Sequence, residues 1–151
     1  LRENMSIRIM KMTKNYKILT TYIKNVKSNL IDTESFIYLK ENIPKYSLGI
    51  DINSIPLKNN MAEVNIKLTF DNKNQIDKKA YFEMIHTTIV RVEESAVNEK
   101  ELKKIFLSDV PTEMYPEIEE KFFEMVKIIG YPDIKLEKKI NFKELFEKNQ
   151  K

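Results

Sequence analysis

The sequence has no cysteine and no tryptophan, a single histidine and only two glycines. Without cysteine there is no disulfide framework and no thiolate zinc site, which fits a reducing compartment. Gly49 and Gly130 stand alone, so no glycine-rich loop is available to cradle a phosphate. No apolar run approaches the roughly 18 residues that a membrane helix needs. The N-terminal LRENMSIRIMKMTKNYK has only broken apolar pairs and no small-residue cleavage site, so a secretory signal is not expected. Nucleophiles reduce to Ser, Thr and Lys, and none sits in an elbow or triad pattern. No cofactor and no metal site is expected, and membrane insertion is not.

What is present is apolar surface and mixed charge. With 151 residues at 42% hydrophobic content, the chain is long enough to bury a core without metal or disulfide staples. Residues 1–15 are read as a poorly ordered lead-in and 16–151 as a single domain. The net charge of +3 comes from 26 basic and 23 acidic residues spread along the chain. No dense basic block is interleaved with aromatics, so the lysines read as a solvated surface and nucleic acid is not an expected partner.

Residues 16–28 have a strand composition with apolar side chains on both faces: Tyr16, Ile18, Tyr22 and Val26 on one, Leu19 and Ile23 on the other. Such a strand is expected to be covered on both sides, by its own chain or by a second subunit. Residues 29–45 read as a long connection with an apolar knot at Phe36, Ile37, Tyr38 and Leu39. Leu48, Ile50 and Ile52 then alternate with polar residues, Pro56 to Asn60 make a turn, and Ala62 to Phe70 alternate cleanly. Residues 71–79 make a polar hairpin loop, and Ala80 to Val92 form a fourth strand.

After Val92 the period changes. Asn98 with Glu101 predicts a capped helix with Leu102, Ile105 and Phe106 on its apolar face. Asp109-Val110-Pro111 is read as an interruption before a longer helix, which Pro116 starts or kinks. Along that helix Tyr115, Ile118, Phe122, Met125, Val126 and Ile129 fall at three- and four-residue steps on one face. Gly130-Tyr131-Pro132 stops it, and Asn141 with Glu144 caps a last helix carrying Phe142, Leu145 and Phe146. Strands first and helices last predict an α+β fold: a four-stranded antiparallel sheet with C-terminal helices packed on one face. His86, on the apolar face of the fourth strand, reads as a half-buried structural histidine, and an enzyme is not expected. The apolar surplus leaves two readings open. One is a larger core under the long connection; the other is an oligomer with apolar grooves to spare.

The order and spacing of several motifs resemble the SecB family of protein-export chaperones. They are Tyr22-Ile-Lys-Asn-Val26, Leu48/Ile50/Ile52, Tyr81-Phe82-Glu83, Tyr115-Pro116, Gly130-Tyr131-Pro132, Ile134/Leu136 and Ile140-Asn141-Phe142-Lys-Glu-Leu145-Phe146, spread over residues 16–146. The resemblance implies a cytoplasmic bacterial homotetramer, a dimer of dimers without cofactor. It would hold unfolded precursor proteins in apolar grooves and pass them to the SecA motor. By the same resemblance Leu48, Ile50, Ile52, Phe142, Leu145 and Phe146 would line the client groove, and Ile118, Phe122, Met125 and Ile129 would serve sheet packing and the tetramer contact.

Asn25, Asn29, Tyr81 and Glu83 would fall on the SecA-contacting sheet face. That family tends to carry acids there, whereas Asn25 and Asn29 are neutral and this chain is net basic. Either the SecA contact is differently arranged, or the chaperone serves one dedicated partner, such as a toxin–antitoxin component.

Overall fold

The period-two stretches pair as their alternation requires. In the computed structural model, which describes residues 15–30, 32–72, 80–93, 98–134 and 140–149, four strands form one antiparallel sheet. They are β1 (Tyr16–Leu30), β2 (Ser47–Pro56), β3 (Met61–Asp71) and β4 (Ala80–Val92), in the order β1-β4-β3-β2. The helices are α1 (Thr33–Glu41), α2 (Glu99–Lys104), α3 (Val110–Ile129) and α4 (Phe142–Asn149).

Directly opposed residues share a face, so the register lays apolar rows across the sheet. Phe82, Phe70 and Leu48 make one row; Met84, Leu68 and Ile50 the next; His86, Ile66 and Ile52 a third. Onto β3 and β4 α3 sets Ile118 and Phe122, both fully buried, and Phe122 meets Phe82 edge-on with ring centroids 5.3 Å apart. Met125 and Ile129 are half-buried at the margin of the same core. Gly130 ends the helix at φ 108, a left-handed conformation that suits glycine, and Tyr131 N–H donates to Val126 O at 2.9 Å. Both expected caps form: Asn98 Oδ1 accepts from Glu101 N–H at 2.7 Å and Asn141 Oδ1 from Glu144 N–H at 3.1 Å.

Within residues 29–45, expected to be a connection, lies α1. Its N-cap is Asp32, whose Oδ1 accepts from the N–H of Ser35 at 2.8 Å and from its hydroxyl at 2.7 Å. Leu39 is fully buried while Ile37 is exposed, so the apolar knot is one helical stripe seen end to end. The expected break at Asp109-Val110-Pro111 is absent. Helix α2, a π turn over Ile105–Asp109, and α3 run on without a gap. Pro111 has no N–H for the carbonyl of Leu107. The turn before it is wound wider, with Val110 N–H donating five residues back to Ile105 O. Pro116 neither starts the helix nor ends it; it lies inside α3.

The first strand, expected to be covered on both faces, is an edge strand with most of its side chains exposed. Register shifts at Leu19 and Lys24 each insert a residue with no opposite number and reverse the faces beyond it. Tyr22 therefore stands opposite Thr87 on the helix-free face, not with Tyr16 and Ile18, and Ile23, expected on the other face, joins Val26 on the helix side opposite His86 and Met84. Most of the expected 71–79 loop, and residues 1–14, lie outside the described residues.

Candidate functional site

Strand β2 is the second edge of the sheet, and its free side can be read from one turn. Leu57 N–H donates to Met61 O at 2.8 Å, which makes that pair the hydrogen-bonded kind. Antiparallel pairs alternate. The backbone groups of Asn53, Asp51 and Gly49 therefore point to β3, while those of Ser54, Ile52, Ile50 and Leu48 point outward. Pro56 falls on the outward side too, where it has no N–H to present. The residues with free backbone are thus the same ones whose side chains face the helices.

Beside that edge is a hollow of about 140 Å³, lined by Ile50, Asp51 and Ile52 of β2, Leu107 of the π turn, and Leu145, Phe146 and Asn149 of α4. Four of the six residues expected in a groove, Ile50, Ile52, Leu145 and Phe146, are brought together here, and Leu145 is 39% exposed. Leu48 sits one row away, half-buried against the core. Phe142 is only 3% exposed, with its ring 5.2 Å from that of Tyr115. It pins the short α4 to α3. Leu107 was not anticipated, because the π turn shifts the helical phase on which the apolar stripe was counted. A second, larger hollow of about 470 Å³ lies past the end of β2, walled by Pro56, Leu57, Met61, Leu102 and Phe106 among others.

The helix-free face is polar and cross-linked. Glu63 Oε2 accepts from Lys24 Nζ at 2.6 Å and Asn65 Nδ2 at 3.0 Å, and its Oε1 from the Tyr22 hydroxyl at 3.4 Å. The Lys24 hydrogen bond, followed by that from Asn65, holds this carboxyl below the usual range. Thr87, beneath these side chains, is fully buried and donates to Asn65 Oδ1 at 2.6 Å. Tyr81, Asn25 and Glu83 meet as well: Glu83 Oε1 accepts from the Tyr81 hydroxyl at 2.6 Å and Oε2 from Asn25 Nδ2 at 3.4 Å, and Lys67 Nζ lies 3.3 Å from Oε1. Burial pushes the Glu83 carboxyl up, but Tyr81, Lys67 and Lys27 together outweigh it and leave the carboxyl below its ordinary value. Exposed Asn29 stands opposite Tyr81 in the register.

His86 is fully buried, more so than the sequence suggested. Lys121 Nζ lies 3.3 Å from its Nε2 and can only donate, so the neutral ring carries its proton on Nδ1. Nδ1 has no hydrogen-bond partner among the described residues. Burial first, and the Lys121 ammonium second, push the imidazole down to about 4. A ring that stays neutral and sealed has no substrate to reach.

The sequence matches the family model described as "Preprotein translocase subunit SecB" over residues 10–151. A Pelagibacter ubique (strain HTCC1062) protein bearing the name protein-export protein SecB is 47% identical over 135 residues, covering 89% of this chain and 96% of its own length. Among solved structures, the SecB-like chaperone Rv1957 of Mycobacterium tuberculosis, in complex with a ChAD peptide from the antitoxin Rv1956 HigA1, shares the fold. Its TM-score is 0.62 at 12% identity, over 87% of this chain and 96% of that one.

Proposed function

Since this chain belongs to the SecB family of protein-export chaperones, we propose that it works as an ATP-independent holdase. It keeps precursor proteins unfolded and delivers them to the SecA motor. The observation that supports this most directly is the β2 edge. Outward backbone of Leu48, Ile50, Ile52 and Ser54 runs beside a hollow where Ile50, Ile52, Leu107, Leu145 and Phe146 meet the polar Asp51 and Asn149. An unfolded client offers unpaired backbone and apolar side chains, and such an edge answers both without reading a sequence.

The working form in this reading is a cytoplasmic homotetramer, a dimer of dimers. Leu19, Ile23 and Val26 on β1 and Ile128 on α3 are left open by the chain's own packing, Ile128 at 78% exposure. Among the described residues no helix is long and apolar enough to cross a membrane. The family's activity is binding; no catalytic role is assigned to any residue.

The test is suppression of aggregation of a chemically unfolded protein, without nucleotide, by the wild type and by Leu145→Asp and Ile52→Asp. Wild type is expected to hold scattering down and the folded variants to lose that ability. Scattering that rises as fast with wild type as without it overturns the reading.

A second reading is a chaperone dedicated to one partner, such as a toxin–antitoxin component. It is favoured by a sheet face on which Glu63 and Glu83 are held by Lys24 and Lys67 rather than free to meet SecA. Binding of many unrelated unfolded proteins supports the first reading; a single tight partner supports the second.

A further inference from the structure

The larger hollow plays no part in client capture beside β2, and it opens where the chain enters the fold. Seven of its ten lining residues are apolar, Leu57, Met61, Val92, Leu102 and Phe106 among them; Asn59, Asn60 and Glu93 are the polar three. At about 470 Å³ it falls within the roughly 300–1,000 Å³ of pockets that take a ligand. Leu57, at 43% exposure, is left open to water there. Two of the lining residues fix where the hollow lies relative to the N-terminus. Val92 N–H donates to Asn60 O and Glu93 N–H to Asn15 O, each at 2.8 Å. Asn15 therefore sits one strand spacing, about 4.8 Å, from the lining itself. Among the described residues β4 ends at Val92, so the chain before Asn15 has no further strand on that side to pair with. Fourteen residues precede Asn15, and apolar ones gather close to it: Ile7, Ile9, Met10 and Met12, with Arg8 and Lys11 between them.

We propose that residues 7–12 of the same chain fold back over the end of the sheet and fill this hollow. Thr13 and Lys14, at roughly 3.3 Å per residue, are long enough to carry the chain across one strand spacing. Ile7, Ile9, Met10 and Met12 then supply the apolar groups that Leu57, Met61, Leu102 and Phe106 lack, and unbranched methionines suit an irregular gap. Charge does not choose the occupant. Glu93 could meet Arg8 or Lys11, but Lys58 in the turn and Glu99, Lys100, Glu101 and Lys103 on α2 make the surroundings mixed. Position and apolar fit choose it. The link 94–97 starts from the same point but must return to Asn98 within four residues. A segment tethered two residues away also acts at about millimolar effective concentration, an advantage over a second copy or a client arriving from solution. The inference is independent of the holdase reading.

Because the chain has no cysteine of its own, introduced thiols give a direct test. In the full chain Ile9→Cys is combined in turn with Leu57→Cys, with Phe106→Cys, with Leu145→Cys of the smaller hollow, and with Lys40→Cys on α1, which follows the far end of β1. Circular dichroism establishes that each variant is folded. Mild oxidation is then followed on non-reducing gels and by mass spectrometry, which separate bridges within one chain from bridges between two. The Leu57 and Phe106 pairs are expected to close within one chain about tenfold or more faster than the Lys40 pair. Met12→Cys with Leu57→Cys repeats the measurement from a second position of the segment, so that one side chain pointing away does not decide it. Equal rates at all four positions overturn the proposal, as does fastest closure on Leu145, which would put the segment in the client hollow. Bridges that form only between two chains also overturn it and assign the hollow to a second copy.

Discussion

At the scale of single residues, His86 makes the clearest pH prediction. Its folded value near 4 lies below the ordinary 6.5, so the unfolded chain takes up the proton first as acid is added. The stability it contributes is full above pH 6.5 and is lost as pH falls toward about 4, a loss of up to about 3 kcal/mol. Glu63 and Glu83, held below the usual carboxylate range, lose theirs in a lower window, beneath pH 4.5. Urea midpoints across pH 7 to 4 should fall for wild type and stay flatter above pH 4.5 for His86→Gln; parallel curves would sink the assignment. Phe122→Ala is a simpler case. It removes a fully buried ring packed on Phe82 and should cost about 3–5 kcal/mol, read as a lower urea midpoint. The apolar periodicity identified Phe122 because α3 presents one unbroken stripe. It could not distinguish Phe142 from Leu145, since in a helix of two turns either can be the residue that faces inward.

At the scale of elements, local chemistry decided what could be read. Strands β2, β3 and β4 were legible because strict alternation is what a sheet with one covered face requires. The N-terminal caps of α2 and α4 were legible because an Asn with a Glu three residues on has few other uses. Helix α1 had the same kind of signal in Asp32 and Ser35, masked by Phe36-Ile37-Tyr38-Leu39, whose continuous apolar run hides the period. Asp32→Ala should cost about 1 kcal/mol, measured by urea titration; an unchanged midpoint would mean that α1 is held by Leu39 alone. The π turn was illegible for another reason: sequence patterns count in steps of 3.6, and an added residue throws the count off. Its consequence is Leu107 in the hollow. Leu107→Asp should impair client holding with little loss of stability, whereas Phe142→Asp should unfold the chain by placing a charge on Tyr115. Comparing circular dichroism with aggregation suppression separates the two outcomes, and a folded, active Phe142→Asp would contradict the packing described.

At the scale of the whole molecule, the open question at the sequence level was whether the apolar surplus lay in a larger core or in an assembly. The larger core is present, and exposed apolar side chains remain beside it. Leu39 carries α1 into the core, yet Leu19, Ile23, Val26 and Ile128 stay uncovered within one chain. The bulges of β1 explain why its faces were misjudged, since no composition signal marks an unpaired residue. A tetramer predicts a solution mass near four times 18.0 kDa, and Val26→Asp should yield smaller species in light scattering. A wild-type mass of 18.0 kDa would remove the assembly from the account.

The proline at position 56 limits how long a grip can be. The outward ladder ends where its amide hydrogen is missing, so from Leu48 to Ser54 about seven residues of a guest can zip alongside. In the proposed holdase so short a clasp would let go quickly, and persistence would come from several such clasps sharing one long guest, each free to open while the others stay shut. On that proposal, retention without entrapment would trace back to one missing hydrogen.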